Sequence, residues 1–250
     1  MASLSDPRIS NPVLSSLKIQ SNDRIIFIRE NALADSNFII THLLKQFFYE
    51  KSRVCFLTLH NTLDHYQNVG KKLGYDLKEA IECNNIKIVD PLADIVEGIG
   101  KEIEESFEES QMLKCLFLSI KKHIDNYCSL KDCPVYLVID DVSHFLDLAI
   151  DLSQIISFIN YCINLTNNDN ISVVINAHVG SKNDEIVAKS VQHICDVFVE
   201  ISQLKTGKST DITGLMTIQR GDSINNYHYR TFDRGVKTFH PGETIYNLYK

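Results

Sequence analysis

Apolar residues along this chain follow two alternating periods. Arg24–Arg29, Val54–Leu59, Ile86–Val89, Cys133–Ile139, Ile171–Ala177 and Val197–Ile201 are short runs of apolar, often β-branched residues. Such runs predict strands buried on both faces of a parallel sheet. Between them the apolar spacing becomes helical. Ile39, Ile40, Leu43, Leu44, Phe47 and Phe48 mark a helix over Ser36–Tyr49, and Leu63, Tyr66, Val69 and Leu73 mark one that stops at Gly74. A long helix carries Leu113, Leu116, Phe117, Ile120 and Ile124, behind an acidic segment from Glu97 to Glu109. Ser143–Ile150 reads as a short apolar helix or turn, Leu152–Thr166 as the clearest amphipathic helix, and Val187, Val191 and Ile194 mark a last one. Strands alternating with helices predict an α/β fold of three layers with a mostly parallel central sheet. After Ile201 the helices cease. Gly214–Arg220, Tyr227–Phe232 and Val236–His240, separated by Gly221-Asp222-Ser223 and Asp233-Arg234-Gly235, predict a C-terminal antiparallel meander. Residues 1–22, rich in Ser, Asn and Pro with one apolar patch at Val13–Leu17, predict an N-terminal arm packed on the domain surface or on a neighbour. Residues 23–250 then form one domain.

Composition narrows the functional classes. A chain of 250 residues that is 44% hydrophobic and 23% charged can bury one sizeable core. Its net charge of −7 argues against binding nucleic acid through a global basic field, so any such role is local or shared with partners. The seven cysteines are scattered, lie mostly in apolar runs and form no C-x-x-C pair, which predicts reduced core thiols and a cytoplasmic or nuclear setting. The N-terminus lacks a secretory pattern, and no apolar run reaches membrane-spanning length. No membrane partner is expected.

Candidate chemistry centres on Cys133–Ser143. Its strand closes on Asp140 and Asp141 at the carboxyl end, where parallel sheets hold ligands and where nucleotide hydrolases place a Mg²⁺-binding aspartate, the Walker B position. A phosphate-binding loop would lie between the first strand and its helix. There the residues are Glu30-Asn31-Ala32-Leu33-Ala34-Asp35-Ser36, with no glycine to let backbone amides wrap phosphates and no lysine to reach them. Glu30 and Asp35 would moreover repel a triphosphate. Asp140 and Asp141 therefore read as a degenerate Walker B. Gly207-Lys208-Ser209 mimics the end of a Walker A motif, but Ser202 stands where the first glycine belongs and no helical pattern follows, so a hairpin loop is expected. The nine histidines show no paired-ligand spacing, and no G-x-S-x-G elbow is present. Neither catalytic residues nor a bound metal or cofactor are predicted. Arg220, Arg230 and Arg234 on the meander are candidate interface residues.

Arg53–Gly74, with Val-Cys-Phe-Leu-Thr-Leu followed by Asp64-His65-Tyr66-Gln67-Asn68-Val69-Gly70-Lys71-Lys72-Leu73-Gly74, together with Val135–Ser143 and Phe158-Ile159-Asn160-Tyr161-Cys162, resembles the family of the sixth subunit of the Elongator complex. The order of elements from about Ile25 to His240 supports the resemblance. It implies a RecA-like fold without a working Walker A motif. It further implies a non-catalytic subunit that joins the fourth and fifth Elongator subunits in a hetero-hexameric ring, binds tRNA, and helps the first to third subunits modify the wobble uridine. Loops after the central strands face the hole of such rings, so topology and charge make Lys182 in the loop His178–Glu185, and Lys205 and Lys208, candidate RNA contacts. Two other readings stay open. One is an ATPase completed by a neighbour's phosphate loop, with this chain supplying Asp140, His178 or an arginine. The other is a recombinase-paralogue-like adaptor that organises proteins on DNA.

Overall fold

The computed structural model describes residues 6–93, 109–130, 133–207 and 209–243. Among these described residues nine strands form a single sheet. They are β1 (Ile25–Asn31), β2 (Arg53–Leu57), β3 (Ile86–Val89), β4 (Val135–Ile139), β5 (Ile171–Val179), β6 (Val197–Ser202), β7 (Gly214–Arg220), β8 (Ser223–Phe232) and β9 (Gly235–Phe239), in the order β3-β2-β4-β5-β1-β6-β7-β8-β9. The first six in this order pair in parallel and the last three antiparallel. The change falls where helical spacing ends in the sequence. All five residues of β4 are buried, as a strand covered on both faces requires.

Helices cover the two faces and divide the core. On one face α6 (Glu109–Ser129), α7 (His144–Asp147), α8 (Leu152–Asn164) and α9 (Lys182–Gln192) pack on Leu137, Ile139, Val173 and Ile175. Ile155, Phe158, Ile159 and Cys162 of α8 are buried there, each large side chain contributing roughly 1.5–3 kcal/mol. On the other face α3 (Asn37–Tyr49), α4 (Leu63–Leu73) and α5 (Leu77–Glu82) pack on Phe56, Val138 and Val174, and Phe47 stacks on Tyr136 at 3.7 Å. Glu109 opens α6; the acidic segment before it lies outside the described residues.

The N-terminal arm is part of this second face. Asp6 and Asn11 cap α1 (Pro7–Ser10) and α2 (Pro12–Leu17), and Val13, Leu14 and Leu17 are at most 1% exposed. Arg220 of β7 fastens the arm. Its guanidinium pairs with Asp23 at 2.5 Å and donates to the carbonyls of Leu17 and Lys18 at the end of α2. Arg220, a candidate interface residue by sequence, is thus engaged within the chain.

Candidate functional site

The carboxyl ends of β1, β2, β4 and β5 lie along one edge, the position where parallel sheets bind ligands. At the end of β1 the connection to α3 closes on itself. Glu30 Oε2 accepts from the Ser36 N–H at 2.7 Å, and the fully buried Ser36 hydroxyl lies 2.7 Å from the same oxygen and 3.0 Å from Asn176 Oδ1. Glu30 Oε1 lies 2.8 Å from His178 Nδ1, and Asp35 accepts from the Asn37 N–H at 2.9 Å. A helix N-terminus offers free amides and positive potential to an anion. Here the chain's own carboxylates fill that position.

β5 lies between β1 and β4, and its Asn176 donates to the Asp140 carbonyl at 2.7 Å, linking the β1 end to the end of β4. The Asp140 side chain turns away from this link. It accepts from the amides of Leu59 (2.6 Å), His60 (3.1 Å) and Asn61 (3.2 Å) and from the Tyr66 hydroxyl (3.0 Å), and so holds the β2–α4 connection. Burial pushes its carboxyl above the usual range, against the opposing pull of these donors. Asp141 Oδ1 accepts from the Ser143 amide (2.9 Å) and hydroxyl (2.6 Å) and from the His178 amide (3.2 Å). The two aspartates stand at the strand end as the Walker B comparison places them, but their donors are structural.

The remaining candidates are dispersed. Ser181 and Asp184 form a capping box that ends the loop early, so Lys182 is the first residue of α9 instead of a loop residue, and it is exposed. Lys205, also exposed, lines a groove of about 920 Å³ with Asn31, Glu200 and Gln203. Lys208 lies outside the described residues, in the connection between β6 and β7. Arg230 pairs with Asp211 at 3.3 Å and covers the Phe232 ring at 5.1 Å. Arg234 is exposed in the β8–β9 turn.

Spacing along the chain gave no sign of one cluster. His60 after β2 and His144 in α7 stack with ring centroids 4.8 Å apart, beside Asp141. Their recognisable signal is topological, because β2 and β4 are sheet neighbours and both ligand-type residues follow their carboxyl ends.

A family model described as Elongation complex protein 6 matches residues 11–234. The chain belongs to that family. Among its relatives, Elongator complex protein 6 of Xenopus laevis is 26% identical, with 92% of this chain and 97% of that protein covered; the protein of Homo sapiens is 25% identical, covering 85% and 88%. Among solved structures, an uncharacterized protein of Pyrococcus horikoshii in complex with an unknown peptide superposes with a TM-score of 0.64 at 14% identity, over 88% of this chain and 93% of that one. A KaiC-like protein of the same organism gives 0.57 at 11% identity, over 86% and 89%. The fold of the chain is therefore of the RecA and KaiC kind.

The His65–Gly74 block of the family resemblance now has a physical basis. Tyr66 reaches Asp140, a Cβ at Gly70 would meet the Tyr75 ring at 2.6 Å, and Gly74 ends α4 with φ +88°.

Proposed function

We propose that this chain is a non-catalytic, RecA-like subunit that joins the fourth and fifth Elongator subunits in a hetero-hexameric ring, binds tRNA there, and supports wobble-uridine modification by the first to third subunits. Family membership supports the assembly, and the Glu30 carboxylate at the N-terminus of α3 supports the absence of hydrolysis by this chain. A triphosphate would have to displace a bound carboxylate without glycine amides or a lysine in compensation. Lys182, Lys205 and Lys208 are the proposed RNA contacts, with Arg230 and Arg234 at subunit interfaces.

Native mass spectrometry of the gently purified complex tests the assembly. Two copies each of three RecA-like chains carrying tRNA are expected; a monomer, or a complex with DNA-repair proteins, overturns the reading. Hydrolysis by the assembled ring tests the catalytic part. It is expected to be unchanged by Arg234→Ala, and a loss would assign this chain a role in a neighbour's active site. Asp140→Asn is a poor probe, because it disrupts the β2–α4 connection whatever its role in hydrolysis.

A further inference from the structure

We propose that His60 Nδ1, His144 Nε2 and Asp141 Oδ2 form a binding site for a divalent cation of the zinc class. The three atoms lie within 4.8 Å of one another, with 2.5 Å between the two ring nitrogens and 3.8 Å from His144 Nε2 to Asp141 Oδ2. A tetrahedral ion with bonds of about 2.0–2.2 Å separates its ligand atoms by roughly 3.3 Å. The histidine pair must open by less than about 1 Å to admit it. His60 is exposed, with solvent rather than core packing on its open side.

The surroundings already resemble those of metal-binding side chains. His144 Nδ1 lies 3.1 Å from Asp147 Oδ2, which fixes the proton on Nδ1 and turns the Nε2 lone pair toward the site. Carboxylate, histidine and metal stand in line in many such sites. Asp141 Oδ1 is held by three donors, from Ser143 and His178, leaving Oδ2 aimed at the histidines. On binding, His60 carries its proton on Nε2 and presents Nδ1. Three ligands from two neighbouring strand ends leave a fourth position for water. Two imidazoles and one carboxylate favour Zn²⁺, Co²⁺ or Ni²⁺ over Mg²⁺, which takes oxygen ligands.

The test is titration of the untagged, full-length chain with Co²⁺, followed by Zn²⁺ competition. One equivalent of Co²⁺ is expected to give visible absorption of a tetrahedral ion without a thiolate charge-transfer band, to be displaced by Zn²⁺, and to persist in excess Mg²⁺. Asp147→Asn, at an exposed side chain that touches no ion, is expected to weaken binding by on the order of 10–100-fold. His60→Ala and His144→Ala are expected to weaken it further, with circular dichroism confirming that the variants are folded. Absence of saturable binding by the folded wild-type chain, a thiolate band, or affinity unchanged in both histidine variants would overturn the proposal.

Discussion

At the end of β1 the Glu30 carboxylate turns inward onto the amide of Ser36, the residue just before α3, whereas at the ends of β2 and β4 His60 and His144 turn ring nitrogens toward Asp141 at the solvent boundary. Both regions lie on the same edge of one sheet. At the first, Glu30 and Asp35 take the Ser36 and Asn37 amides, so carboxylates of the chain itself stand where a phosphate would bind. At the second, Asp140 holds the β2–α4 connection, while Asp141 takes three donors on Oδ1 and has Oδ2 3.8 Å from His144 Nε2. Neighbouring carboxylates thus divide between sealing and presenting.

The largest expected effect falls on the second region. Asp140→Ala strips the acceptor from three amides and the Tyr66 hydroxyl, and should cost about 3–5 kcal/mol in urea unfolding while abolishing the cobalt site that depends on the placement of His60. A loss under about 1 kcal/mol would mean that the connection stands without Asp140.

Acid should act through the sealed region. His42 of α3 is 2% exposed, its Nδ1 lies 2.6 Å from the Phe38 carbonyl, and burial lowers its pKa from 6.5 to about 4. The unfolded chain takes up this proton below about pH 6.5 while the folded chain does not, so stability is full above that pH and falls as pH drops toward about 4. The loss amounts to roughly 3 kcal/mol at the low end. Urea midpoints at pH 7 and pH 5 should diverge in the wild type and converge in His42→Gln; an unchanged divergence assigns the acid sensitivity elsewhere.

Glu30→Ala opens the sealed region directly. It leaves the Ser36 amide and hydroxyl without their carboxylate and should cost about 2 kcal/mol, with no gain of ATP affinity in equilibrium dialysis, since glycines and a lysine are still missing. Micromolar ATP binding by this variant would show the seal to be the sole barrier. The smallest effect is expected for Tyr66→Phe, about 1 kcal/mol in the same urea assay, because three amides still hold Asp140.

Strand β3 was legible to the residue, and the helix stop at Gly74 is a left-handed cap as the glycine suggested. The short α5 is not legible in the sequence, because six residues with only Leu77 and Ala80 buried carry too little periodicity. The arm at 1–22 reads as surface because polar residues outnumber its apolar ones, yet three of those apolar residues are enough to seat α2 in the core. Lys182 reads as a loop residue in sequence because the Ser181–Asp184 box, rather than any apolar residue, sets the start of α9.

The layered α/β architecture, the turn to antiparallel strands and the loss of the phosphate loop are local properties of the chain, since each rests on residues close together in sequence: an apolar period, a glycine, a missing lysine. Folding in three dimensions is what joins Glu30 to the Ser36 that precedes α3, fastens the arm with Arg220, and brings His60 and His144 together across 84 residues at Asp141. Those contacts arise from parallel pairing, which brings strand ends together regardless of their separation in sequence, and no local pattern encodes which side chains then face one another.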